Sequence, residues 1–461
     1  MTQRTLLSDT LATFAVNTNI DATPAAVRDW AKLLILDAVG NAYASSRFDF
    51  ARQALTAMLG LDSGASTVIG MPGRLTLRDA VLMNGMLVHG LDYDDTYLPG
   101  AAHLTASCVP TTLGVAAHLD ASGADLLAAC LIGVESGIRL AAVAKGSFLK
   151  TGFHPTSLCG AFGSVIGAGR LMKLTHEQMM MAQGLVLSSA SGNMQPTQEG
   201  AWAKRLHPGL MGSAAITAAS LARQGFTGPH EVYEGRYGLF PCFLGVHAGD
   251  ADLSLATQRL GAHWECARTS IKLYPACYQS HAAMNAAVEL REQEAVDVTQ
   301  IESIHARMAE AAVALVCEPL AAKKKPHNSY AAQFSLPYAL ACCLARGRFA
   351  LEETAEASYS DPLLLDLADK VSYEIDPDSG FPKFRSGEVI VRLKDGRVVS
   401  RRKNVLPDEP ASAAQIIAKF RQNTQYALTP AKAGQVTEMI LNLEKLGSAK
   451  TLSELISGDN S

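Results

Sequence analysis

No CxxC pair, no HExxH helix, no EF-hand loop and no excess of either charge occurs anywhere in the 461 residues. Each absence removes a class of function. Nine scattered cysteines, odd in number and with Cys342 and Cys343 adjacent, fit reduced, buried thiols of a cytoplasmic protein better than a disulfide framework. A net charge of −4 gives no basic footprint for nucleic acid or for an anionic membrane, so neither partner is expected. The start, "MTQRTLLSDTLATFAV", is too polar for a signal peptide. The uncharged stretch "TGFHPTSLCGAFGSVIGAG" carries a His, a Pro and five Gly and suits a membrane span poorly. There is no P-loop and no GxSxG elbow, and "GAFGSVIGAG" follows no strand, so no phosphate or dinucleotide cradle is expected. No Cys/His ligand set suggests a metal.

What is present is apolar mass, 48% of the chain against 18% charged, enough for two or three domains. Up to about residue 260 the pattern is helical. Thr23–Pro24 has the form of an N-cap followed by Pro at the first helical position, with Val27, Trp30, Leu34 and Ala38 on one face. "TLRD" from Thr76, "SGAD" from Ser122 and "THEQ" from Thr175 are capping-box openings, each before an apolar run. Gly160, Gly163 and Gly167 share one face of the helix after "HPTS", which makes sense where backbones approach closely. Nothing in this half alternates like a sheet.

The character changes near Lys272. "YQSHAAMNAAVELREQE" reads as an amphipathic helix, and "IESIHARM" and "VSYEID" as strands. "EVIVRL" and "RVVSRR" form a hairpin around "KDG", after the turn-rich "DPDSGFPKFRSG". After "LPDEPAS" helices return, with Thr429–Pro430 as a further cap. The expected fold is mainly α with a smaller α+β domain: residues 1–267 and 405–461 form an all-helical domain, and 268–404 an α+β lid.

Four stretches carry candidate chemistry. In "HGLDYDDTYLPGAAH", Asp92, Asp94 and Asp95 follow a helix, at the end where the dipole disfavours acids. They are either a hydrated turn whose acids cap the next helix or part of a site; a divalent ion is the weaker alternative. In "KTGFHPTS", His154 sits at a helix start, where its neutral form is favoured, so it is a cap or a proton acceptor. "EGAWAKRLHPG" puts Lys204, Arg205 and His207 in a turn before an Ala-rich helix, either solvated or holding a carboxylate. In "SIKLYPACYQSH", Lys272 stands among apolar neighbours ahead of His281, and either snorkels or functions. Acids, neutral histidines and lysines together suit proton transfer next to a carboxylate, where fixed cations stabilise the developing negative charge.

These residues resemble the MmgE/PrpD family. "HGLDYDDTYLPGAAH", "GFHPTSLCGAFGSVIGAGRLMKL", "GAWAKRLHPGLMGSAAITAASLARQGFTGP", "IKLYPACYQSH" and "AAQFSLPYALACCLARG" carry the likeness in that order, over nearly the whole chain. The resemblance implies a large all-helical domain with a smaller α+β lid and a site at the domain interface. It also implies a homodimer and no required cofactor. It carries catalytic roles onto His154, Asp92, His103, Lys204 and Lys272. It gives Thr96 and Tyr338 substrate-binding roles, and His281 and Arg205 are further substrate-binding candidates from their own stretches. One motif departs: the family commonly continues the histidine as "HPS", and its methylcitrate dehydratase branch as "HPSDN", where this chain has "HLTAS" from His103. That argues against methylcitrate dehydration. The expected activity is a cofactor-independent lyase, dehydrating or decarboxylating a small di- or tricarboxylate. An epimerase of an iminodisuccinate-like acid and a non-catalytic carboxylate-binding homologue are the alternatives.

Overall fold

Local side chain–backbone bonds start the helices where the capping sequences stand. In this computed structural model, which describes residues 5–381, 383–406 and 411–458, the Thr76 hydroxyl accepts the Asp79 N–H at the head of α1 (Leu77–His89). α2 (Thr105–His118) follows. Ser122 then caps α3 (Gly123–Ala144) by accepting the Asp125 N–H at 3.1 Å. α4 (Pro155–Leu171) begins behind His154 with Pro155 in its first turn. Thr175 and Gln178 close a reciprocal capping box on the helix His176–Leu187, and Thr429 caps Pro430–Leu441. Each cap satisfies an N–H that the first helical turn leaves without an intrahelical partner.

Two expectations about the first half change. Pro24, not Thr23, is the N-cap of the helix Ala25–Ser45, and no side chain caps it. "AKRLHPG" is not a turn before a helix: α5 (Ala203–Arg223) already begins at Ala203, so Lys204, Arg205 and His207 lie in its first turns with Pro208 inside. A two-residue antiparallel ladder, Ser66–Thr67 with Arg74–Leu75, also interrupts the helices.

Contacts divide the chain into two units, Met1–Ile271 with Pro410–Ser461, and Lys272–Glu409. These junctions lie a few residues beyond the expected 267/268 and 404/405. Residues 407–410 of "LPDEPAS", Pro382 of the preceding loop and residues 1–4 lie outside the described residues.

In the first unit α4 packs on α2, α3 and α5, and α5 also packs on α1. Small residues allow it. A Cβ on Gly163 would come within 2.6 Å of the Gly133 carbonyl oxygen, and one on Gly85 within 2.6 Å of the Gly209 Cα. α3 is apolar enough to cross a membrane by length and composition, yet its most apolar 18 residues are all buried inside the protein. Its charged pair is satisfied there. Arg139 Nε donates to Glu135 Oε1 at 2.6 Å, and Glu135 also accepts the Glu265 and Cys266 N–H groups. Val27, Trp30, Leu34 and Ala38 are buried as their spacing requires. Burial continues around the helix to Asp37 and Asn41, because the C-terminal helix Ala413–Thr424 packs there, with Lys419 at 2.6 Å from Asp37 and Asn423 bonded to Asn41.

The second unit is a mixed sheet of β1 (Ile301–Met308), β2 (Val371–Ile375), β3 (Arg385–Leu393) and β4 (Val398–Val405), in the order β2-β1-β3-β4. β1 and β2 are parallel with Ile304 opposite Val371. β3 lies antiparallel to both β1 and β4, pairing Val391 with Ile304 and with Val399. Gly396 at φ +89 turns the β3–β4 hairpin, a conformation open to glycine. α6 (His281–Gln293) packs on β3 and β4, and α7 (Leu336–Arg346) packs on α6. Ile304, Val389, Val391, Ala283 and Leu340 belong to their common core.

Candidate active site

α1 ends at His89, and the chain turns back at once. The Asp92 N–H donates to the His89 carbonyl at 3.1 Å, and Asp92 closes the turn with φ +51. This left-handed conformation is uncommon for a residue with a Cβ, though Asp tolerates it better than most. The three acids of the loop then take three partners. Asp92 Oδ1 lies 3.3 Å from Lys204 Nζ. Asp94 Oδ2 lies 2.7 Å from His89 Nδ1, both side chains fully buried. Asp95 Oδ1 accepts the N–H and the hydroxyl of Thr105, the first residue of α2. So Asp95 does cap the next helix, while Asp92 and Asp94 face the site.

α4 and α5 supply the opposite wall. His154 occupies the N-cap position of α4, but its side chain makes no capping bond; its backbone N–H is held by the Gly192 carbonyl at 3.0 Å. Four imidazoles form a row, His103, His89, His154 and His207, with successive centroids 5.2, 5.3 and 5.4 Å apart. His154 Nδ1 and His207 Nδ1 are 3.3 Å apart. Lys204 comes off the first turn of α5 and places Nζ 3.1 Å from His89 Nε2. His103 is fixed from both sides: its N–H donates to the Thr156 hydroxyl at 3.0 Å, and its Nδ1 lies 2.5 Å from the Asp95 carbonyl oxygen. A carbonyl only accepts, so His103 Nδ1 carries a proton. In the neutral ring Nε2 is then the basic nitrogen, and it lies 3.9 Å from Asp92 Oδ1. Thr96 Oγ1 is 3.3 Å from His103 Nδ1, and its backbone is clamped to Ser270 by a pair of hydrogen bonds.

Burial holds the His154 imidazole well below the usual histidine range, reinforced by the charge of Lys204 and by His89, His103 and His207. Burial likewise pushes His207 down to about 4. Both rings are therefore neutral at pH 7. Sequence reasoning gave the same direction for His154 from its helix N-terminus; the larger cause is desolvation. Asp95 moves the other way, up to about 8, because it is fully buried beside Asp94, with the Thr105 bonds only partly offsetting.

His154, Asp92, His103, Lys204 and Thr96 thus come together, and the Arg205 guanidinium lies over the Phe50 ring at 4.6 Å. Lys272, His281 and Tyr338 belong to the second unit. Lys272 is buried at its first position. His281 opens α6, its Nε2 3.2 Å from the Ala276 carbonyl and its ring against Tyr274 and Tyr278. Tyr338 lies in the core, its hydroxyl donating to the Glu353 carbonyl at 2.7 Å. Sequence reasoning assigned His89, Asp94 and His207 no catalytic or substrate-binding role, although it noted Asp94 in the acid cluster and His207 beside Lys204. The available signal was the position of His89 on the last turn of α1, five residues before Asp94.

His89, Asp92, Asp94 and His103 each offer one ligand atom within 4.8 Å of the others, a grouping that no Cys/His pattern in the sequence displayed. Lys204 Nζ contacts two of the four, His89 and Asp92. Its ammonium supplies positive charge among these donors, and the same lone pairs cannot serve it and a metal ion together.

The "HLTAS" departure has a structural account. Thr105 stands where the family's serine does and keeps a hydroxyl on Asp95. Leu104 is fully buried and lies against Gly137 of α3.

The MmgE/PrpD N-terminal domain matches residues 9–250, and the MmgE/PrpD C-terminal domain matches 274–445. The chain belongs to the MmgE/PrpD family. Among similar proteins, the cis-aconitate decarboxylase of Aspergillus terreus is 26% identical over 466 residues, covering 96% of this chain and 94% of that protein. The cis-aconitate decarboxylase of Homo sapiens is 28% identical over 412 residues, covering 86% and 82%. That of Mus musculus is 26% identical over 447 residues, covering 93% and 88%. The match to this family runs through the helical unit that holds the site and through the mixed-sheet unit.

Proposed function

We propose that this family member is a decarboxylating lyase for a small unsaturated polycarboxylate of the aconitate type, working without a metal or organic cofactor. The observation that carries the proposal is the cation of Lys204 set between Asp92 and His89 beside the imidazole row. Near full-length similarity to cis-aconitate decarboxylases supports the choice of decarboxylation over dehydration.

In such a reaction the C–C bond to one carboxyl breaks and CO₂ departs. The electron pair enters the carbon skeleton and the adjoining carboxylate, and one proton is added to carbon, so that R–COO⁻ and H⁺ become R–H and CO₂. Lys204 offsets the charge that builds up on the remaining carboxylate, and a placed cation is worth most where water is excluded. His154 is the proton carrier. It is neutral in the free protein, and an arriving polyanion counters the repulsion from Lys204 and the neighbouring rings, so the ring takes up a proton and returns it to carbon. His103, oriented by Asp95 and Thr96, binds a second carboxylate once its Nε2 has taken up a proton and become a donor.

The test is incubation with cis-aconitate, citrate, malate and aspartate in D₂O, followed by NMR. The proposal expects CO₂ release from cis-aconitate and one deuterium on the product carbon. Loss of water instead makes the protein a dehydratase. Exchange of an α-hydrogen without net conversion makes it an epimerase. No change in any acid leaves a carboxylate-binding homologue.

A further inference from the structure

We propose that His89 and Asp94 are a positioning dyad for Lys204, in which Asp94 fixes the tautomer of His89 and His89 in turn aims the ammonium. The proposal rests on Lys204 being the cation of the site, as proposed above.

The hydrogen-bond order follows from the donor and acceptor inventory. A lysine ammonium has three protons and no lone pair, so at 3.1 Å it donates to His89 Nε2, and that nitrogen must be unprotonated. The remaining proton of a neutral imidazole then lies on Nδ1, where Asp94 Oδ2 accepts it at 2.7 Å. Asp92 Oδ1, at 3.3 Å, takes a second ammonium proton. Two bonds fix Nζ and leave one N–H of Lys204 for a substrate carboxylate. Burial makes the arrangement strict. Neither the His89 nor the Asp94 side chain is reached by solvent, so water does not replace a lost partner. The ring is also sandwiched between His103 and His154 at 5.2 and 5.3 Å, which restricts rotation about its side-chain torsions. An imidazole between a buried carboxylate and a working group uses its second nitrogen to set the first.

His89 is therefore not a proton carrier. Its role is distinct from that of His154, although the two rings are neighbours.

The dyad has a readout that needs no substrate. Full-length protein labelled with ¹⁵N-histidine, with the His89 signals assigned by their loss in His89→Gln, should show protonated Nδ1 and bare Nε2 at pH 7. Asp94→Leu should abolish that preference. An imidazolium at His89, or the Nε2–H tautomer, overturns the proposal even if the protein turns out to act on no acid in the panel. The kinetic arm uses cis-aconitate or whichever acid the panel identifies. His89→Gln presents an amide oxygen near the Nε2 position and keeps an acceptor for Lys204. His89→Asn reaches only the Nδ1 position and keeps a donor for Asp94. Loss of a tautomer-fixing carboxylate or its imidazole costs on the order of 10²-fold or more in turnover. His89→Asn should show that loss, and His89→Gln should recover at least about tenfold of it, with both variants folded by circular dichroism. Equal losses in the two variants would mean that the ring is merely packing, and the dyad would be rejected.

Discussion

Replacing Asp95 by Asn should make the protein more stable at neutral pH, with a pH dependence that one proton dictates. The Asp95 carboxyl titrates at about 8 in the folded protein, against 3.8 for an ordinary aspartate. Between those values the folded state holds a proton that the unfolded chain has released. Stability from this group is therefore complete below about pH 4 and is lost as pH rises towards 8. One proton corresponds to about 1.4 kcal/mol per pH unit, so pH 5 to 7 costs the wild type on the order of 3 kcal/mol. Asn keeps the oxygen that accepts the Thr105 N–H and hydroxyl and has no proton to lose. Its advantage at pH 7 is at most about 4 kcal/mol, because that pH lies roughly three pH units above the point where an ordinary aspartate ionises. His154 and His207 contribute a slope of the opposite sign, since their lowered values mean that the unfolded state binds the extra protons. Both proteins share that contribution, so it cancels in the difference. Urea unfolding at pH 5, 6, 7 and 8 gives the difference curve directly. A variant-minus-wild-type stability that stays flat within about 0.5 kcal/mol would show that Asp95 is ionised in the fold, and the reasoning would fail.

His154→Gln keeps hydrogen bonding but cannot titrate, so turnover should fall about 10²–10⁴-fold with KM little changed in steady-state assays. Lys204→Met keeps the stem and removes the charge; KM should rise at least as much as turnover falls, and an unchanged KM would remove Lys204 from substrate binding. Activity should survive exhaustive chelation, and a loss restored by one divalent ion would assign His89, Asp92, Asp94 and His103 to a metal. Gly163→Ala should lower stability by about 1–3 kcal/mol in urea unfolding, because its Cβ would strike the Gly133 carbonyl. Gly434→Ala, in the helix Pro430–Leu441 with nothing within 4 Å, should raise it by about 0.5–1 kcal/mol.

Helix starts and the β3–β4 hairpin were legible in the sequence because their causes are local. Thr76, Ser122, Thr175 and Thr429 each bond a backbone group three residues away, a distance that a sequence displays. The head of α5 was misjudged for the opposite reason. Pro208 and Gly209 look like turn residues, but Gly209 is small because the backbone of α1 at Leu82 and Gly85 lies against it, a contact from more than a hundred positions away. The same holds for the site. Lys204 was visible as a basic residue, but its partners His89 and Asp92 belong to a segment that only the α1–α5 packing brings near.

The acid cluster shows why two opposed accounts of "LDYDDTY" could both be defended from sequence. Three carboxylates at the negative end of a helix dipole cannot all stay ionised and unpaired without a large penalty. The fold treats each differently. Asp92 is matched by the ammonium of Lys204, Asp94 by the N–H of His89, and Asp95 is kept protonated by burial while capping α2. Two charges remain rather than three. Asp95 bonds the head of α2 as the turn account expects, though buried rather than hydrated, while Asp92 and Asp94 turn to Lys204 and His89. Neutralising Asp95 also serves the chemistry proposed here: a third negative charge so close to Asp92 and Asp94 would repel the polycarboxylate that Lys204 is placed to attract.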